Sequence, residues 1–173
     1  MLVKLFDIEN DNVVPTEHCH TLKFLKEIMD HYEENETYLE VYKYLFYMTC
    51  PNPDLNPFFN LKNDVKEERI LDQVGGGFTS EDDLIMKALP LCKEMYETPA
   101  TRAYYGIKAA LDNLADYMAG TKISHGRDGN INSIVTAAAK FDQVRQSFKG
   151  AFKDLMEEQA HVRGDKGMAY DQE

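Results

Sequence analysis

The chain has 173 residues, 43% of them hydrophobic, and a formal net charge of −11 at pH 7. That is enough apolar material for one ordinary domain with a real core, and it argues against a chain disordered throughout. No apolar run approaches the roughly 18 residues of a membrane span, and three scattered cysteines, Cys19, Cys50 and Cys92, without a CxxC pair argue against a disulfide framework or a structural zinc site.

The charge is uneven. Residues 1–97 hold 20 Asp and Glu against 9 Lys and Arg, whereas residues 98–173 hold 10 of each. An acidic half is a poor surface for phosphate backbones, whose affinity rests on neutralising cations. It suits solubility, a basic partner, or a passage through which DNA slides without sticking.

In chain order, residues 1–15 open with an apolar stub that turns acidic too soon for a signal peptide. Asn10, Asp11, Asn12 and Pro15 then mark an arm or short strand followed by a turn. Thr16 reads as the N-cap of a helix over 16–33, with Leu22, Leu25, Ile28, Met29 and Tyr32 on its apolar face. Residues 37–49 are rich in aromatic and β-branched side chains, which suit strands. Tyr38, Val41, Tyr42, Leu45 and Met48 nevertheless keep helical spacing and predict a helix.

Pro51, Pro53 and Pro57 forbid a regular element, because each lacks a donor and pushes its predecessor extended. The loop delivers Phe58 and Phe59, either onto the core or to a partner. Residues 63–74 predict a short helix with acids near its N-terminus, stopped by Gly75-Gly76-Gly77. A helix capped by Ser80 runs to about Glu97 with Pro90 inside it. Thr98-Pro99 starts a further helix, cap then proline, which Gly120 closes. Residues 120–130 form a loop carrying Lys122 and Arg127.

Asn130 then caps a final helix over 131–160, about 45 Å long. Its 3,4 repeat runs through Ile131, Ile134, Ala138, Phe141, Arg145, Phe148, Phe152, Leu155 and Gln159, widened by Val135, Val144 and Met156. Arg145 at a core position argues against a simple two-stranded coiled coil. The polar tail 161–173 is expected to be loose. The expected fold is therefore all-α: one helical domain over 1–160, a bundle of about five to six helices with a long C-terminal helix and an N-terminal arm over 1–15.

Little in the chain announces chemistry. His18 and His20 are two apart and point to different faces of a helix, unlike the i, i+4 pair of a helical zinc site. Gly75–Ser80 precedes a helix start but lacks a P-loop lysine, and Glu81, Asp82 and Asp83 would repel a phosphate. A flexible hinge is the plain reading. Asp82/Asp83 and Glu67/Glu68 read as solvated first turns. Along the last helix Lys140, Arg145, Lys149 and Lys153 are interleaved with Asp142, Asp154, Glu157 and Glu158, so no basic stripe forms. The expectation is no enzyme, no cofactor and no metal.

The segment from Tyr44 to Leu61, YLFYMTCPNPDLNPFFNL, with Lys66-Glu67-Glu68-Arg69-Ile70-Leu71, resembles small virion proteins of tailed bacteriophages, notably of the crAss-like group. In both, an aromatic helix leads into a proline-punctuated turn and then an acidic helix. The resemblance implies a structural protein of the head-to-tail region, a ring or adaptor subunit beneath a portal. Its partners would be itself, as a ring homo-oligomer, and portal and tail subunits, with passive contact to translocating DNA and no membrane. Its place would be the virion, and the host cytoplasm during assembly. It supplies no catalytic residues. Phe58, Phe59, Phe148, Phe152 and Leu155 are the candidate protein interface, and Lys122 and Arg127 a candidate polar or anion-contacting loop. The alternative is a cytoplasmic nucleic-acid-binding accessory, a packaging or regulatory factor.

Overall fold

The computed structural model describes residues 4–9, 12–124 and 129–164. It is mostly helical, as the sequence predicts, and the N-terminal arm forms one small two-stranded sheet. The chain divides into two compact units, 1–97 and 98–173, where the sequence suggested one domain over 1–160. The division falls where the charge changes from acidic to balanced.

In the first unit, β1 (Phe6–Glu9) pairs antiparallel with β2 (Asn12–Pro15), Phe6 opposite Pro15 and Glu9 opposite Asn12. The arm docks on its own unit. Leu5 and Phe6 are buried, and the Phe6 ring lies 5.5 Å from that of Tyr42 and 6.2 Å from that of Phe46. Thr16 holds the arm down, its hydroxyl reaching the carbonyls of Lys4 and Leu5 at 2.8 and 2.9 Å.

The helix expected over 16–33 is two, α1 (Glu17–Thr21) and α2 (Lys23–His31), broken where Leu22 takes extended backbone. Neither proline nor glycine announces the break. Cys19 from α1 and Leu25 and Ile28 from α2 all enter the same core. After a short 3-10 turn, Glu34–Glu36, the chain reverses at Glu36, φ 57°, into α3 (Thr37–Thr49).

Helix α3 is the centre of this unit and packs against β2, α2, α4 (Asn63–Val74) and α5 (Asp83–Met95). Val41, Tyr42, Tyr44, Leu45, Phe46, Tyr47 and Thr49 are all buried, so it is covered on nearly every side. That surrounding explains its strand-like composition: burial decides over local propensity. Pro90 lies inside α5 on its exposed side. The N-cap of α5 is Asp82, whose carboxylate accepts from the Leu84 amide at 2.8 Å. Ser80, expected to cap it, lies two residues before the cap; the Tyr44 hydroxyl nearby donates to Glu67 Oε1 at 3.1 Å.

The proline loop is an internal joint. Asn56 is buried, and its Nδ2 donates to the carbonyls of Tyr47 and Cys50 at 2.8 and 2.9 Å. Lys66, also buried, donates from α4 to the Met48 carbonyl at 3.0 Å. Three carbonyls around the α3 C-terminus, which have no intrahelical partner, are thus met by side chains. Phe59 is buried, and Phe58 packs 5.3 Å from Tyr47.

The second unit is a hairpin of two helices, α6 (Pro99–Gly120) and α7 (Ile131–Gly164). Among the described residues, no helix is long and apolar enough to cross a membrane.

Candidate protein-contact surface

The hairpin is fastened at both ends. Thr98 and Thr101 form a capping box, with Thr98 N–H to Thr101 Oγ1 at 2.6 Å and Thr101 N–H to Thr98 Oγ1 at 3.1 Å. The Thr98 hydroxyl also donates to the Glu158 carboxylate at 2.7 Å, tying the start of α6 to the far end of α7. At the other end Asn130 Nδ2 donates to the Lys122 carbonyl at 2.9 Å, and its Oδ1 accepts from the Ser124 amide at 2.9 Å. The helices therefore run antiparallel.

Near Thr98 the packing is close. The Tyr104 ring is fully buried, 5.2 Å from Phe148 and 5.9 Å from Phe152. Burial pushes the Tyr104 hydroxyl pKa up to about 12. Leu155 is 0% exposed. All five residues offered as a partner interface, Phe58, Phe59, Phe148, Phe152 and Leu155, are buried or half-buried, and the rings of Phe58, Phe148 and Phe152 pack on aromatic residues of their own unit.

The inward stripe of α7 differs in phase from the expected one. It runs Ile134, Ala137, Phe141, Val144, Phe148, Ala151, Leu155, all buried or half-buried. The expected and observed repeats share the seven-residue steps through Ile134, Phe141, Phe148 and Leu155. They differ in whether the residue three or four further on turns inward. Ala137 and Ala151 do so, with Val144 as expected, whereas Ala138 and Arg145 are exposed; Phe152 flanks the stripe, half-buried against Tyr104. The small Ala137 and Ala151 let the helices approach. Arg145 is consequently a surface residue, paired with Asp142 at 2.9 Å.

Toward the loop more apolar side chains are exposed. Tyr117, Met118, Ile123, Ile131 and Val135 are exposed, Ile123 at 61% and Val135 at 63%. Among the described residues nine large hydrophobic side chains are exposed, and these five are the ones at this end. Sequence periodicity assigned Met118, Ile131 and Val135 to apolar stripes; the signal it carried was a stripe wider than one partner helix can cover. Covering the five would gain on the order of 5 kcal/mol, at about 1 kcal/mol for each half-exposed side chain. That lies at the low end of what association costs, so any contact here is concentration-dependent.

Lys122 is exposed on the same loop; Arg127 lies outside the described residues. Exposed charges on α7 pair along their own helix, as in Lys153–Glu157 at 3.5 Å.

Other candidate sites are filled from within. The three buried cysteines are free thiols, and burial raises the Cys19 pKa to about 11 and that of Cys92 to about 12. Cys19 Sγ donates to the Leu5 carbonyl. His18, His20 and His31 are exposed, and no group of three or more His, Cys, Asp or Glu among the described residues is placed to hold a metal. An open groove of about 470 Å³ is lined by Leu71, Asp72, Gly75, Gly76, Phe78, Thr79 and Ser80. The adjacent N-terminus of α5 is occupied by Asp82, whose carboxyl is held below its usual range by the Leu84 amide. Gly77 serves close approach, since a Cβ on it would lie 2.7 Å from Thr37 Cγ2, and Gly75 takes φ 113°.

Compared with protein-family models, curated proteins and solved structures, the chain matches none.

Proposed function

We propose that the chain is a structural subunit of a bacteriophage particle, a ring or adaptor protein at the portal–tail junction that acts through protein–protein contacts. The observation that carries the contact role is the loop end of the α6–α7 hairpin, where Tyr117, Met118, Ile123, Ile131 and Val135 are each exposed. Large apolar side chains left in water are the material of interaction surfaces.

The setting in a particle rests on the resemblance of residues 44–71. In this chain those residues form the joint between α3 and α4, with Tyr44, Leu45, Phe46, Asn56, Phe59, Lys66 and Ile70 all buried. A framework role for that segment supports a shared fold rather than a shared active site. The balance of 20 acidic to 9 basic residues in 1–97 favours a surface that DNA can pass without being retained.

The test is mass spectrometry of purified particles together with light scattering of the isolated protein. The expected result is its presence in particles and a solution mass that is a multiple of 19.9 kDa. A strict monomer absent from particles overturns the reading.

A further inference from the structure

We infer that Asp7 closes the edge of the N-terminal sheet. Its carboxylate sits where the carbonyl of a third strand would bind, so the arm does not recruit another extended chain. This device is independent of the particle setting proposed above.

An edge strand offers unpaired amides and carbonyls to any extended chain that comes alongside. The described sheet has two strands, so each has one side without a strand beside it. The register says which amides face outward. The Thr16 amide donates to the Leu5 carbonyl at 3.0 Å, which continues the ladder of Phe6–Pro15, Asp7–Val14, Ile8–Val13 and Glu9–Asn12. Bonded and unbonded pairs alternate along an antiparallel ladder. Leu5, Asp7 and Glu9 therefore bond to β2. Phe6 and Ile8 on β1, and Val13 and Pro15 on β2, turn their backbone groups outward. Pro15, which has no amide hydrogen, stands where the ladder asks for none.

Three of these four positions are shut by the fold itself. Phe6 and Val13 are buried, 1% and 5% exposed, and Pro15 has nothing to donate. Ile8 is half-buried, and its amide is the outward one left on the accessible stretch of the described sheet. That amide donates to Asp7 Oδ1 at 2.8 Å. Lys4 Nζ lies 2.6 Å from the same oxygen and holds it there. An incoming strand has to expel a charged carboxylate from both partners before it gains its first backbone bond at Ile8.

The test compares the full wild-type chain with Asp7→Ala, Asp7→Asn and Thr16→Ala. Asparagine keeps an oxygen for the Ile8 amide. Thr16→Ala loosens the arm by removing its hydroxyl contacts and leaves Asp7 in place. Amide hydrogen exchange at Ile8 reads the contact. Light scattering and thioflavin T fluorescence over a concentration series read strand pairing between copies, whose β1 edges are then free to meet. For Asp7→Ala the expected result is Ile8 exchange roughly tenfold faster in dilute solution, with mass and dye fluorescence that rise with concentration beyond wild type. Asp7→Asn and Thr16→Ala should match wild type in both association readouts. Circular dichroism checks folding. If Asp7→Ala does not fold, Lys4→Met, which releases the carboxylate from its ion pair, is read in its place, with the same direction expected. Unchanged Ile8 exchange, or association no greater than that of wild type at every concentration, overturns the inference. So does Thr16→Ala associating as strongly as Asp7→Ala, which would trace the effect to a loose arm and not to an opened edge.

Discussion

Asn56 shows how much one polar side chain can hold. Its amide answers two carbonyls at the end of α3, and its own Oδ1 accepts from the Phe58 amide at 3.1 Å. Asn56→Ala would leave the Tyr47 and Cys50 carbonyls buried without these donors. The expected cost is about 2–3 kcal/mol, read as a lowered midpoint in urea unfolding with an unchanged slope. A surface control such as Asp54→Ala should move the midpoint little. The sequence marks Asn56 only as a loop residue between prolines; its burial depends on where the chain end of α3 comes to rest.

At the scale of elements, helix starts and stops were legible where local chemistry sets them. Thr98 with Pro99, Gly75 and Gly120 stand where the structure begins or ends helices. Three features were not. The break at Leu22 has no local signal and follows from Cys19, Leu25 and Ile28 meeting one core. The cap of α5 is Asp82 rather than Ser80, because the sequence offers two residues able to cap, two positions apart, and local chemistry does not choose between them. The phase of α7 was ambiguous because residues three and four apart flank the same line on a helix, and only the partner helix chooses between them. The candidate surface was legible as apolar content and illegible as exposure, for the same reason. The phase yields a paired prediction. Ala151→Leu, which forces a larger side chain against α6, should cost about 1–3 kcal/mol. Arg145→Ala, which removes an exposed pair, should change stability by less than about 0.5 kcal/mol. Thermal unfolding of the two variants measures both; the reverse ranking would mean that the inward stripe has been wrongly drawn.

For the whole molecule, burial of weak acids sets an alkaline limit. The thiols of Cys19 and Cys92 are raised from 9.0 to about 11 and about 12, and the hydroxyls of Tyr32 and Tyr104 from 10.0 to about 12. Desolvation on burial is the largest cause in each. Tyr42, Tyr44 and Tyr96 are pushed up for the same reason. The folded chain keeps protons that the unfolded chain releases, so unfolding is favoured as pH rises. Stability should be level below about pH 9 where these groups are concerned, and should fall between the unfolded values near 9–10 and the folded values near 11–12. Denaturant midpoints across that range measure it. The Cys92→Ala variant should show a shallower decline, even though its cavity lowers stability at neutral pH.

The proline joint has one more consequence, for chemical ageing. Asparagine degrades when the nitrogen of the next peptide unit attacks the side-chain amide and closes a five-membered ring, a step that needs that nitrogen to carry a hydrogen. The two buried asparagines of the joint, Asn52 and Asn56, are followed by Pro53 and Pro57, whose nitrogens carry none. The prolines that rule out regular structure here also close the ordinary deamidation route at the residues whose amides the joint depends on. Amides elsewhere in the chain can drift to acids with storage; these two should keep their identity as long as the backbone itself lasts.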